Sequence, residues 1–233
     1  MPAGYFSYAL LTGLATALVI AAYTDIKRRE IDNTLNAAIA LAAPVYWLSM
    51  GLGWEAIGFQ LGLALVTFAI ACALFVAGQM GGGDVKLLTA LALWFTPASF
   101  LQLVVLMAIL GGAGSVAMAA LNMKREPGES LRDAAATFAA IGWVGLAGAV
   151  LFALATGRPL IDGATLQSIR AILPQGWIMG LVALAVLAVF ILGFLHIVRR
   201  QKSRIPVPYG VAIAVAGLWV LGRHAVQVSH IAG

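Results

Sequence analysis

The stretch Phe75–Phe95, FVAGQMGGGDVKLLTALALWF, is apolar at nearly every position until three glycines, Gly81, Gly82 and Gly83, lead into Asp84 and then Lys86. A carboxylate and a glycine triplet interrupt what otherwise reads as membrane-embedded chain. Glycine admits positive φ and leaves the backbone uncovered. Inside a bilayer such backbone is tolerated only where it lines protein or water. A carboxylate at the edge of hydrocarbon costs a few kcal/mol unless partnered or hydrated. The interruption is therefore the first place to look for chemistry.

The rest of the composition says that lipid is the main solvent. Of 233 residues, 62% are hydrophobic and only 10% charged, with a mean hydropathy of +0.99. A soluble domain is about 45–50% apolar and about 25% charged. The lone cysteine, Cys72, lies in an apolar run, which excludes a disulfide framework and a cysteine-rich zinc site. A net charge of +5 in such a chain reports cytoplasmic loops facing anionic lipid, not nucleic acid. The first basic residue, Lys27, follows the first apolar run, so that run reads as a retained span and not a cleaved leader.

Apolar runs fall at about 4–24, 34–51, 55–78, 84–96, 97–121, 135–156, 177–198 and 206–222. Crossing about 30 Å of hydrocarbon takes about 20 helical residues. Most runs qualify; the fourth is too short. The expected fold is all-α: a polytopic membrane bundle of about eight (six to eight) helices, with a short fourth helix opening at the glycine-rich loop. One integral-membrane domain is expected across 1–233, because neither polar connection, 122–133 or 157–176, is long enough for another. With the loop after the first run inside, Lys27, Arg28, Arg29, Lys86, Lys124, Arg125, Arg132, Arg199, Arg200, Lys202 and Arg204 are cytoplasmic, and only Arg158, Arg170 and Arg223 are outside. That split puts both termini outside.

Of the nine acids, most fall in connections. Asp25, in VIAAYTDIKRREIDN, ends the first run, and Asp84 begins the fourth. Both are expected at the cytoplasmic boundary. Each has a plainer reading. Asp25 pairs with Lys27, Arg28 or Arg29, and Asp84 is a helix N-cap. A cap, however, needs no glycine triplet. Two carboxylates held together share a proton; the ionised one takes a proton from water while the other donates to a scissile carbonyl. That chemistry needs no metal and no cofactor. His196, His224 and His230 lack H-E-x-x-H spacing and read as interfacial residues, and no G-x-S-x-G elbow or phosphate-binding G-x-x-x-x-G-K-[ST] is present. Bare backbone at Gly81–Gly83 suits an extended peptide, which binds through its main chain. Lys86 either tunes the charge of the pair, contacts substrate, or snorkels to the interface.

GGGDVKLL (81–88) resembles the G-x-G-D signature of the type IV prepilin peptidases, and DIKRREIDN (25–33) resembles the basic segment after that family's first helix. The family often has Pro before the Asn; here Asp32 stands there. RIPVPYGVAIAVAG (204–217) is similar to the entry of the family's last helix. The resemblance implies a membrane aspartic protease with Asp25 and Asp84 as the catalytic pair. Its implied partners are a prepilin or pilin-like precursor and, beyond it, pilus or secretion assembly machinery. It implies no nucleotide and no nucleic acid. It places the protein in the inner membrane with the site facing the cytoplasm. The short connection after the first run, without C-x-x-C pairs, resembles the peptidase-only branch serving Flp/Tad pili, which has no cytoplasmic zinc or methyltransferase domain. Preflagellin peptidase is a close variant. Outside the family, a proton-coupled transporter or an assembly scaffold would also carry intramembrane acids.

Overall fold

The computed structural model describes residues 5–124, 128–172, 176–201 and 209–232. Among these the chain is helical: α1 Tyr5–Arg28, α2 Asn33–Met50, α3 Trp54–Val76, α4 Gly82–Ala92, α5 Pro97–Leu121, α6 Ser130–Thr156, α7 Gly163–Ile172, α8 Gly176–Arg199 and α9 Tyr209–Ala232. The all-α membrane-bundle reading holds. Helices α1, α3, α5, α6 and residues Gly180–Arg199 of α8 are long and apolar enough to cross a membrane, and α9 is apolar over the shorter stretch Tyr209–Arg223. Helix α4 has 11 residues; at about 1.5 Å per residue it reaches only about 16 Å and does not span.

Each apolar run became a helix. One helix was not foreseen: α7 lies within the 157–176 connection, where Asp162 Oδ1 caps it by accepting the Thr165 amide at 2.8 Å. Local signals fix other ends. Asp32 accepts the Thr34 amide and caps α2. Gly51 and Gly157, at φ 63° and 67°, end α2 and α6 in the left-handed region that glycine enters without strain.

The chain divides into two compact units, 1–108 with 208–233, and 109–207. In the first, short α4 is the central element. Val85, Leu87, Leu88, Ala90, Leu91 and Ala92 are all buried, and α2, α3 and α9 pack around it while α1 packs on α2 and α9. The end of α4 leaves carbonyls without intrahelical partners. Trp47 Nε1 of α2 donates to one of them, Leu93 O, at 2.8 Å, and Trp94 Nε1 returns a bond to Ile39 O at 2.9 Å. Tyr46 stacks on Trp94 at 5.2 Å between ring centroids. These bonds pin α4 where a helix of its length could not hold itself.

In the second unit small residues let α6 and α8 approach. A Cβ on Gly193 would lie 2.7 Å from the Ala139 Cβ, and one on Gly142 would lie 3.0 Å from the Phe190 ring. Close backbone approach of this kind drives association in lipid, where apolar burial supplies little. Large side chains such as Phe59, Leu65, Leu184 and Leu192 face outward, as expected where acyl chains are the solvent.

Candidate active site

Three helix ends and one connection of the first unit build the site. The last turn of α1 carries Asp25, the first turn of α4 carries Asp84, and the first turn of α9 carries Gly210 and Val211. Asp25 and Asp84 are 6% and 8% exposed. Both line one cavity of about 460 Å³, together with Thr24, Arg28, Arg29, Ile31 and Gly81–Gly83. The two acids, fifty-nine residues apart in sequence, thus share one space.

Asp84 is not the N-cap that the sequence suggests. Helix α4 starts two residues earlier; Gly81 is the cap and Asp84 occupies the third helical position. From there Asp84 Oδ2 reaches back to accept the Gly81 amide at 3.2 Å, the carboxylate half of a capping box. Burial, and after it the negative charge of Asp25, push the Asp84 carboxyl up to about 6, and the Gly81 bond pulls the other way. A carboxyl in that range exchanges its proton near neutrality. Asp25 Oδ2 accepts the backbone amide of Val211 at 3.1 Å.

The glycine triplet is explained by approach, not by φ. Its members are absent from the positive-φ glycines, which among the described residues are Gly51, Gly78, Gly128 and Gly157. A Cβ on Gly81 would lie 3.1 Å from Asp84 Oδ2, and one on Gly83 would lie 3.2 Å from the Ile31 Cβ. Gly82 is the freest, its nearest neighbour being Phe75 Cε2 at 3.6 Å. The residue with unusual backbone is Arg29, at φ 57°. Its amide donates to Asp25 O at 3.0 Å, closing α1 and turning the chain toward α2. Lys86 Nζ donates to Asn33 Oδ1 at 2.7 Å, so it ties the start of α4 to the start of α2 and is not among the residues lining the cavity.

Two contributions were not read from sequence. Asn36, buried in α2, donates to Gly83 O at 3.3 Å and braces the first turn of α4 ahead of Asp84. The Val211 amide is the other. Its only sequence signal was the Tyr209-Gly210 pair at the head of the last apolar run.

In the other unit, Glu129, Asp133 and His196 bring one metal-capable atom each to within 4.8 Å of one another. They are engaged already: His196 Nε2 and Asp133 Oδ1 are 2.8 Å apart, and Arg200 donates to Glu129. Asp133 is buried in the first turn of α6, not in a connection as its sequence position suggests. Histidines 224 and 230 lie where side chains are outside the described residues.

The match to known proteins falls on this site. Residues 12–116 match the model of the type IV leader peptidase family. Over this segment the chain is similar to that family. The segment makes up a little under half of the chain and contains both Asp25 and Asp84. A prepilin peptidase, EppA of Methanocaldococcus jannaschii, is 39% identical over 84 residues, which is 36% of this chain and 23% of that protein. No solved structure matches.

Proposed function

We propose that the chain is a membrane aspartic endopeptidase that removes the basic leader from a prepilin or pilin-like precursor. The convergence of Asp25 and Asp84 in one cavity, within a leader-peptidase segment, is the observation that carries this reading. One carboxylate takes a proton from a water held between the pair. The other, protonated, donates to the scissile carbonyl, and the tetrahedral intermediate collapses with the proton passing to the leaving amine. The precursor strand runs beside Gly81–Gly83, of which Gly81 is exposed and Gly82 has room for no more than ordinary contact with Phe75. Lys86, exposed and bonded to Asn33, anchors the start of α4 beside the strand's path. The basic excess of the loops beside both acids supports a site on the cytoplasmic face of the inner membrane. The short connection Arg29–Asp32 between α1 and α2 favours the Flp-type, peptidase-only branch, and one integral-membrane domain accounts for the activity.

The test replaces Asp25 or Asp84 by Asn in the full chain and follows precursor length in membranes. Loss of a general acid or base costs about 10²–10⁴-fold, so each variant is expected to leave the precursor uncut over a time in which the parent cuts it fully. Complete processing by either correctly inserted variant would refute the proposal.

A further inference from the structure

Asp25 occupies an unfavourable place for an anion. It lies in the last turn of α1, where the unpaired carbonyls of a helix C-terminus repel negative charge. What offsets this is the start of a different helix. The first amides of α9 have no intrahelical acceptor and carry its partial positive charge. One of them, Val211 N–H, donates to Asp25 Oδ2 at 3.1 Å. The residue before it makes the approach possible. A Cβ on Gly210 would lie 2.8 Å from Asp25 Oδ2, 3.0 Å from its Cγ and 2.6 Å from Ile31 Cδ1. Any side chain at 210 would push the carboxylate off its donor.

We propose that Gly210 and Val211 are positioning residues which hold Asp25 as the ionised member of the pair, so that Asp25 is the base that takes the proton from water and Asp84 is the acid. This rests on the reading of Asp25 and Asp84 as a catalytic pair. A backbone amide only donates, and its bond to a carboxylate is stronger than to a neutral carboxyl, so it biases Asp25 toward the charged form. Asp84 also heads a helix, but it is held by the amide of its own turn, Gly81.

The charged and titratable groups around Asp25 do not supply the same bias with the same geometry. Arg28 and Arg29 follow it on α1 and line the cavity, with Glu30 and Asp32 of the connection among them. Lys27 is turned to the Tyr23 hydroxyl at 3.2 Å. Helix α4 contributes Asp84, with Lys86 held by Asn33. Helix α9 contributes Tyr209, and α2 offers the neutral Asn33 and Asn36.

The experiment deletes the amide and keeps the side-chain bulk. Proline is tolerated in the first turn of a helix, where its missing N–H breaks no helical bond. Val211→Pro removes the donor, whereas Val211→Ala trims the side chain and keeps it. Cleavage of a synthetic peptide with a basic leader ahead of an apolar segment is followed across pH with the full-length protein. The acid limb of the rate profile is expected to move to higher pH by on the order of one unit in Val211→Pro, and to stay in place in Val211→Ala whatever its overall rate. Gly210→Ala, which displaces Asp25 from the same amide, is expected to move the limb in the same direction and decides the matter if the proline variant does not accumulate. Identical limbs in the variant used and in Val211→Ala would overturn the positioning role while leaving the catalytic pair intact. Cleavage by Asp25→Asn or Asp84→Asn would instead overturn the pair itself, and the positioning role with it.

Discussion

Gly83 lies against Ile31 so closely that a Cβ added to Gly83 would sit 3.2 Å from the Ile31 Cβ and 3.3 Å from its backbone nitrogen. Gly83 immediately precedes Asp84, and Ile31 lies in the connection that follows Asp25. This contact packs the first turn of α4, which carries Asp84, on the connection that follows α1. Ile31 is buried and its backbone cannot yield like a flexible side chain. Gly83→Ala must move the connection by a few tenths of an ångström or more, and a misplacement of 1 Å in a reacting group costs about 10²-fold. Precursor cleavage by Gly83→Ala is expected to fall about 10–100-fold, read as kcat at saturating substrate.

Gly82 gives the opposite test. Within the chain its added Cβ meets only ordinary contact, 3.6 Å from Phe75, and alanine suits a helix better than glycine by up to about 1 kcal/mol. Gly82→Ala is expected to unfold at or above the parent's temperature. If the precursor strand passes here, the same change raises KM several-fold with kcat nearly kept. An unchanged KM would move the strand to another side of the cavity.

The buried Asp84 makes stability depend on pH. Its value rises from 3.8 to about 6 on folding. The folded protein therefore binds this proton more tightly than the unfolded chain does. Below about pH 4 both states are protonated and the group costs nothing; between about pH 4 and 6 the cost grows, and above about 6 it is complete. Asp84→Asn cannot ionise and escapes it. After allowance for the lost charge at the head of α4, the variant is expected to be more stable than the parent by about 1–2 kcal/mol above pH 7, with the gap closing below about pH 4. Thermal unfolding in detergent at the two pH values measures this, and a constant gap would contradict it.

Much of this arrangement is legible in the chain because membranes make polar residues conspicuous. Asp84 and its glycines stand out against apolar neighbours, and Asp25 ends an apolar run, so both of the acids that the structure brings to one cavity are conspicuous in the chain. What escaped has no such contrast. The Val211 donor is a backbone amide, which every residue but proline has, so no residue type announces it. Asn36 reads as an ordinary residue near a helix start until Gly83 is found against it. The start of α4 moved from Asp84 to Gly82 because glycine is a poor helix former by propensity, and here the packing on Ile31 overrides that cost. Asp133 reads as a loop acid in the sequence because α6 begins at Ser130, five residues ahead of its apolar run. Helix α7, ten residues long with Asp162 before it, is marked by a cap that only matters once the helix exists.

The Asp133–His196 contact should hold α6 to α8 independently of the chemistry. His196 Nε2 and Asp133 Oδ1 are 2.8 Å apart, with side-chain exposures of 19% and 7%. Beside them Arg200 of the segment after α8 donates to Glu129 ahead of α6. A hydrogen bond to a charged group contributes about 1.5–3 kcal/mol, and removing one partner leaves the other poorly solvated. His196→Ala is expected to lower stability by about 2 kcal/mol. His196→Gln, which keeps a donor on a similar reach, should recover part of it. His196 and Asp133 lie outside the cavity of Asp25 and Asp84, so cleavage per folded molecule should match the parent in both variants. Unfolding curves and active-fraction-corrected rates on the same preparations separate the two effects, and a His196→Ala protein as stable as the parent would show that small-residue packing at Gly193 and Ala139 suffices to join the helices.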